Sequence, residues 1–292
     1  MKTNLKILSV ASIMLISAST LITACKKDSS SSSSTADNSS AANLSANGAT
    51  SDNAFDDAFN VAVQTGNDKG LDNLMQMKSG KATLGFSVTG SYYCANVTVS
   101  GSSFPDTVTV DFGSGCTSSD SIVRSGSITY IFSGKLSTPG TTISSTFNNY
   151  AVNGYKLAGT YSIANTSTLA AVSLTTAVTG GNITYPNDTS YSFSGNKTVA
   201  WISGTPAAPS SLVFNITGGY SISSSYGESL VATITTPLVR NGGCENIVQG
   251  ITSFKYTKGS LGVNGTLDYG NGACDNKALI TIGAFTETVT LP

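Results

Sequence analysis

From about residue 81 to the C terminus, apolar and polar side chains alternate with a period of two, the spacing of strands buried on one face. Val108, Val110 and Phe112 alternate with Thr107, Thr109 and Asp111, and Ile128, Tyr130 and Phe132 repeat the arrangement. Leu212, Phe214 and Ile216 follow, then Leu230, Ala232 and Ile234, and finally Val289 and Leu291. Threonine on the intervening positions suits a strand whose other face meets water. Asn153-Gly154 separates Tyr150-Ala151-Val152 from Tyr155-Lys156-Leu157, so a two-residue turn would pair Val152 with Tyr155 and Tyr150 with Leu157. Asn264-Gly265 reads the same way between Val263 and Thr266, and Pro237 marks a strand end or an edge. The fold class is all-β. We expect a large antiparallel meander of about 12–16 strands, as a sandwich or an open, curved barrel-like sheet, with one short N-terminal helix.

That helix is expected from Asp52 to near Gly66, capped by Ser51, with Phe55, Phe59 and Ala62 as its apolar stripe. Asp52, Asp56, Asp57, Asp68 and Asp72 make the stretch acidic, either as a docking patch or as a solvated face of a helix packed on the sheet. Helix and sheet together form a single domain over residues 52–292.

The chain contains no histidine, which removes Ser-His-Asp and Cys-His catalysis and His-bearing zinc sites. A net charge of −1 and a pI near 5.3 argue against nucleic-acid partners, which need a basic stripe. Only 11% of residues are charged, so the surface is polar mainly through hydroxyls and amides.

Four of the five cysteines fall in two similar settings. Cys94 precedes strand-like sequence and then Asp111-Phe112-Gly113-Ser114-Gly115-Cys116. Cys244 likewise precedes Asp268-Tyr269-Gly270-Asn271-Gly272-Ala273-Cys274. The pattern suggests duplicated disulfide units near 83–135 and 230–292. Three pairings are open, and Cys94–Cys116 with Cys244–Cys274 is favoured because each joins neighbouring strands. Asp111 and Asp268, with Asp120 or Asp275 as a second ligand, are candidates for a calcium loop. Asp111, Asp268 and Glu245 are candidates for a carboxylate pair in a glycan hydrolase. The plainer expectation is that each Asp caps the backbone of its own Gly-x-Gly turn. No catalytic residue, metal or cofactor is assigned. Trp201, Tyr92-Tyr93 and the pair Tyr220 and Tyr226 are candidate sugar platforms, although strand tyrosines are more often half-buried packing.

Lys2 and Lys6 precede an apolar run over 7–21, and the segment ends Leu21-Ile22-Thr23-Ala24-Cys25. This resembles a bacterial lipobox, which implies a signal peptide over 1–24 and lipidation of Cys25. Lys26 follows rather than Asp, which by the same resemblance favours the outer membrane. An unbroken serine run at 29–34 opens a stretch of Ser, Ala, Asn and Thr, so residues 25–51 are expected to form a flexible tether.

Lipobox, tether, Asp/Phe-rich helix and Asp-Phe-Gly-Ser-Gly-Cys together resemble a group of Bacteroidota lipoproteins. The likeness continues through Gly126-Ser127-Ile128-Thr129-Tyr130, Phe147-Asn148-Asn149-Tyr150, Thr235-Thr236-Pro237-Leu238 and Leu267-Asp268-Tyr269-Gly270. Asp120-Ser121 stands where Asp-Gly would be expected, which weakens a metal loop there. The resemblance transfers no catalytic residue. The expectation is an outer-membrane, cell-surface lipoprotein with a non-catalytic binding, adhesion or scaffold role. Its partners would be the membrane, through the lipid, and glycans or outer-membrane proteins. The alternatives are a periplasm-facing lipid carrier and the carboxylate hydrolase.

Overall fold

The structure, a computed structural model, describes residues 35–71, 77–79, 82–84, 94–101, 103–118, 121–205, 208–244 and 246–291. The expected signal peptide, Cys25, the serine run, Asp72, Tyr92, Tyr93, Asp120 and Glu245 lie outside these residues. Helix α1 spans Thr35–Asp68, and a two-stranded hairpin follows from β1 (Met77–Ser79) and β2 (Ala82–Leu84). The remaining strands are β3 (Asn96–Ser100), β4 (Asp106–Asp111), β5 (Cys116–Thr117), β6 (Val123–Phe132), β7 (Thr142–Val152), β8 (Tyr155–Asn165) and β9 (Ser173–Thr184). They continue through β10 (Ser190–Thr205), β11 (Ala208–Ser224), β12 (Glu228–Asn241), β13 (Ile247–Lys258), β14 (Leu261–Asn271), β15 (Lys277–Ile282) and β16 (Phe285–Thr290). These form one 14-stranded antiparallel sheet in which sequence neighbours pair from β6 to β16, with β4 and β3 completing one end and β5 pairing with β6. It is a continuous open meander rather than a sandwich, since β3 and β16 end the order without pairing with each other.

Helix α1 packs against β7, β8 and β10 to β16. Residues 48–51 and 61–63 are buried consecutively, so the helix is enclosed on all sides there rather than along one stripe. The sheet therefore curves around α1, with its apolar face inward. Phe55 stacks on Phe193 at 5.3 Å between ring centroids and meets Phe147 edge-on at 5.9 Å. Most outward positions carry threonine, serine, asparagine or lysine, with apolar residues such as Ile131, Ile202 and Val231 scattered among them, whereas the lipid-facing positions of a membrane barrel are apolar throughout.

The helix is longer than the sequence led us to expect and takes over residues 35–51 of the expected tether. Ala41, Ala42, Leu44, Ser45, Gly48 and Ala49 are buried against the sheet. All but Leu44 are small, which lets the backbone come close: a Cβ on Gly48 would stand 2.5 Å from the Tyr220 ring. Tertiary packing here overrides the weak helix preference of a Ser/Asn/Gly-rich run. The acidic side is also not a solvated face, because Asp57 is buried and Asp52 and Asp56 are half-buried.

Asn153-Gly154 forms the β7–β8 turn with φ of 48° and 84°, and Val152 pairs with Tyr155. The ladder shifts register between Thr146 and Ala151, where Tyr150 lies, so Tyr150 does not pair with Leu157 as expected. Asn264-Gly265 is not a turn. It lies inside β14, with Gly265 opposite Phe254, and the β13–β14 turn is at Gly259-Ser260. A Cβ on Gly265 would stand 2.4 Å from Phe254 Cζ, so this glycine makes room for a ring. Pro237 is neither at an edge nor at a strand end. It sits within β12 where the registers to both β11 and β13 shift, and such an irregularity tolerates a residue without an N–H.

Candidate functional site

Two buried ionic clusters join α1 to the sheet. Arg124 of β6 donates from Nε to Asp57 Oδ2 at 2.9 Å and from Nη2 to Asp57 Oδ1 at 2.6 Å. Tyr150 of β7 donates its hydroxyl to the same Asp57 Oδ2, and Tyr130 of β6 donates to the Ala58 carbonyl at 2.9 Å. Burial, and then the Asp57 charge, hold the Tyr150 hydroxyl well above the usual phenol range. On β10, Lys197 Nζ reaches Asp52 Oδ1 at 2.9 Å and Asp56 Oδ2 at 2.7 Å, while Tyr161 of β8 donates to Asp56 Oδ1 at 3.3 Å. Burial pushes Asp52 up to about 6, because desolvation outweighs the attraction of Lys197. Lys197 is lowered by burial but raised more by Asp52 and Asp56 together, so it stays firmly charged. These clusters resemble acid–base machinery in composition, but the groups face one another across the helix–sheet contact. Their evident work is to fix α1.

The sequence candidates are dispersed. Asp111 Oδ1 accepts from Gly113 N–H and Asp268 Oδ1 from Gly270 N–H, both at 2.9 Å, and Asp275 Oδ1 accepts from Lys277 N–H at 3.0 Å. Each carboxylate holds the backbone N–H two residues on, Asp111 and Asp275 beside strand ends and Asp268 within β14, where the register to β13 shifts. Asp111 ends β4 and Asp268 lies in β14, with β6 to β13 between them in the sheet order. Among the described residues, no three Asp, Glu or Cys side chains gather as a metal site needs. Cys94 is bonded to Cys116 and Cys244 to Cys274, and each bond encloses one hairpin, β3–β4 or β13–β14. In both settings the Asp accepts from the backbone N–H two residues on, at the end of β4 in the first and at a register shift within β14 in the second.

Among the described residues, the aromatic candidates do not form a platform. Tyr220 points inward and is buried against Gly48, whereas Tyr226 sits in the β11–β12 turn and is 80% exposed. Trp201 is half-buried, and its indole N–H donates to its neighbour Ser203's carbonyl at 2.6 Å.

The outer face does hold a depression of about 330 Å³ near Asp111 that the sequence did not disclose. Asp111, Ser127 and Asn148 are register partners on β4, β6 and β7, so their side chains stand in one row. Ser114, Ser125 and Asn149 complete the polar lining, and Gly113 and Gly126 leave the floor free of side chains. Gly126 (φ 71°) and Asn149 (φ 50°) lie where the β6–β7 register shifts. A Cβ on Gly126 would stand 2.2 Å from the Asn149 carbonyl oxygen, so only glycine allows this close crossing. The signal available beforehand was an isolated glycine within a strand pattern, Ser125-Gly126-Ser127, which marks a bulge.

Next to this row runs a second one made wholly of threonine. Thr98, Thr109, Thr129, Thr146, Thr160 and Thr179 are successive register partners across β3, β4, β6, β7, β8 and β9. Thr109 and Thr129 are within hydrogen-bond reach, Oγ1 to Oγ1 at 3.3 Å. Comparison with protein-family models, with curated proteins and with solved structures finds no match.

Proposed function

We propose that the chain is a lipoprotein anchored through Cys25 in the outer membrane and presented at the cell surface, with a non-catalytic binding, adhesion or scaffold role. The anchor rests on the lipobox-like Leu21-Ile22-Thr23-Ala24-Cys25, and the observation that supports a non-catalytic role is the disposition of the carboxylates and faces. Asp52, Asp56 and Asp57 hold the helix, and Asp111, Asp268 and Asp275 each hold a backbone N–H two residues on. The concave apolar face, where a lipid cargo would sit, is taken by α1. What the sheet offers to a partner is its polar outer face. A carrier role would require α1 to leave, against two buried ionic clusters. A hydrolase built on Asp111 and Asp268 would require the two carboxylates to flank one bond, and β6 to β13 lie between them in the sheet order.

Metabolic labelling with palmitate tests the anchor. The expected result is incorporation into the native chain, fractionation with outer membranes, and loss of both in Cys25→Ala. Label retained in Cys25→Ala, or a native chain recovered unlabelled from the soluble fraction, would reject the anchored reading.

A further inference from the structure

We propose that the depression beside Asp111 is a subsite for one pyranose residue of a neutral glycan, with the adjoining threonine row carrying the next residues of the polymer. This rests on the surface-binding reading above and names its ligand class. The lining contains no lysine or arginine, so a phosphate or sulfate group would meet no counter-charge. It contains no aliphatic or aromatic side chain, so a lipid or an apolar peptide would gain nothing there. It does combine a carboxylate, two amides and three hydroxyls, which supply acceptors and donors side by side as vicinal sugar hydroxyls require. The Gly113 N–H holds Asp111 Oδ1 at 2.9 Å and so orients the carboxylate. The second oxygen remains an acceptor for a ligand.

The volume of about 330 Å³ is at the small end of ligand pockets, suited to one ring rather than a chain. Beyond the depression the row of six threonines crosses neighbouring strands. At a strand spacing of about 4.8 Å it extends roughly 24 Å along the sheet, enough for several linked sugars. Calcium is the competing ligand for a lone carboxylate among hydroxyls, but hard cations want more charged oxygen than one Asp provides.

The test uses full-length protein in lauryldimethylamine oxide, a detergent without a sugar headgroup, titrated calorimetrically with cellotetraose, chitotetraose and calcium chloride. Saturable binding of at least one tetrasaccharide is expected. Asp111→Asn keeps the Oδ1 acceptor for Gly113, and Asn148→Ala lies on the exposed face, so both variants should fold. Each should weaken binding about fivefold or more, the loss of roughly one good hydrogen bond. Thr129→Val should weaken the tetrasaccharide while leaving the corresponding monosaccharide unchanged. Absence of saccharide binding, binding indifferent to both Asp111→Asn and Asn148→Ala, or calcium binding alone would overturn the proposal. A domain found outside the cell that binds neither sugar would end the subsite and leave the surface reading intact. A periplasmic domain that binds sugar would do the reverse.

Discussion

Arg124, fully buried in the sheet, grips Asp57 of the helix through two parallel hydrogen bonds of 2.9 and 2.6 Å. These residues are 67 positions apart in the chain, and the pair ties the helix to β6. A buried charge left without its partner is far more costly than the pair is stabilising. Asp57→Asn or Arg124→Gln should each lower stability by about 3–5 kcal/mol. Asp57→Asn combined with Arg124→Gln should lose less than the sum of the two single changes. Urea unfolding of the four proteins gives the coupling. Additive losses would mean that the two groups do not act as a pair.

Asp52 predicts a pH dependence with an unusual sign for a carboxylate. Its folded value near 6 lies above its ordinary value of 3.8, so between about pH 4 and pH 6 the folded protein holds more protons than the unfolded chain. Its contribution to stability therefore falls as pH rises through that window, and the penalty is complete above it. Asp52→Asn should remove the penalty, since Lys197 keeps Asp56 at 2.7 Å. The variant should match or exceed the native protein at pH 7, by at most about 3 kcal/mol, and lose that advantage near pH 4. A native protein that gains on the variant as pH rises from 4 to 7 would contradict this.

Gly48 and Tyr220 give opposite expectations at one contact. The Tyr220 hydroxyl is buried and has no hydrogen-bond partner among the described residues. Tyr220→Phe should therefore be neutral or stabilising, by up to about 1–2 kcal/mol. Gly48→Val would press a side chain into the same ring and should cost about 1–3 kcal/mol. Thermal unfolding of the two variants is enough, and a Tyr220→Phe loss comparable to that of Gly48→Val would show a hydroxyl partner at work.

The two disulfides span 22 and 30 residues. By the chain-entropy argument each should contribute roughly 3–4 kcal/mol, the longer span slightly more. Paired Cys→Ala replacement of either bridge should lower the unfolding midpoint without dispersing the sheet. Loss of all cooperative unfolding on removing one bridge would mean that its hairpin organises the rest.

The strands and their faces were legible because alternation carries the burial pattern directly: Val108, Val110, Ile128 and Tyr130 are all fully buried. The Asn153-Gly154 turn was legible because positive φ at both positions suits those two residues. Asn264-Gly265 shows the limit of that signal, since a glycine chosen to fit under Phe254 looks the same in sequence as one chosen for a turn. The first half of α1 was hidden for a related reason. Ala41, Ala42, Gly48 and Ala49 are buried because they are small, and smallness resembles linker composition when the sheet they meet is unseen. Arg124 follows exposed Val123, so nothing local marks it as a buried partner of Asp57. The candidate subsite depends on a crossing of Gly126 with Asn149 on another strand, a register fact that only the pairing reveals.

The claim that this β domain faces the outside of the cell meets its most direct test in protease shaving of intact cells. The domain should be degraded or released into the supernatant while a periplasmic marker stays protected. A domain that survives until the outer membrane is permeabilised would contradict the surface assignment and return the chain to the periplasmic face.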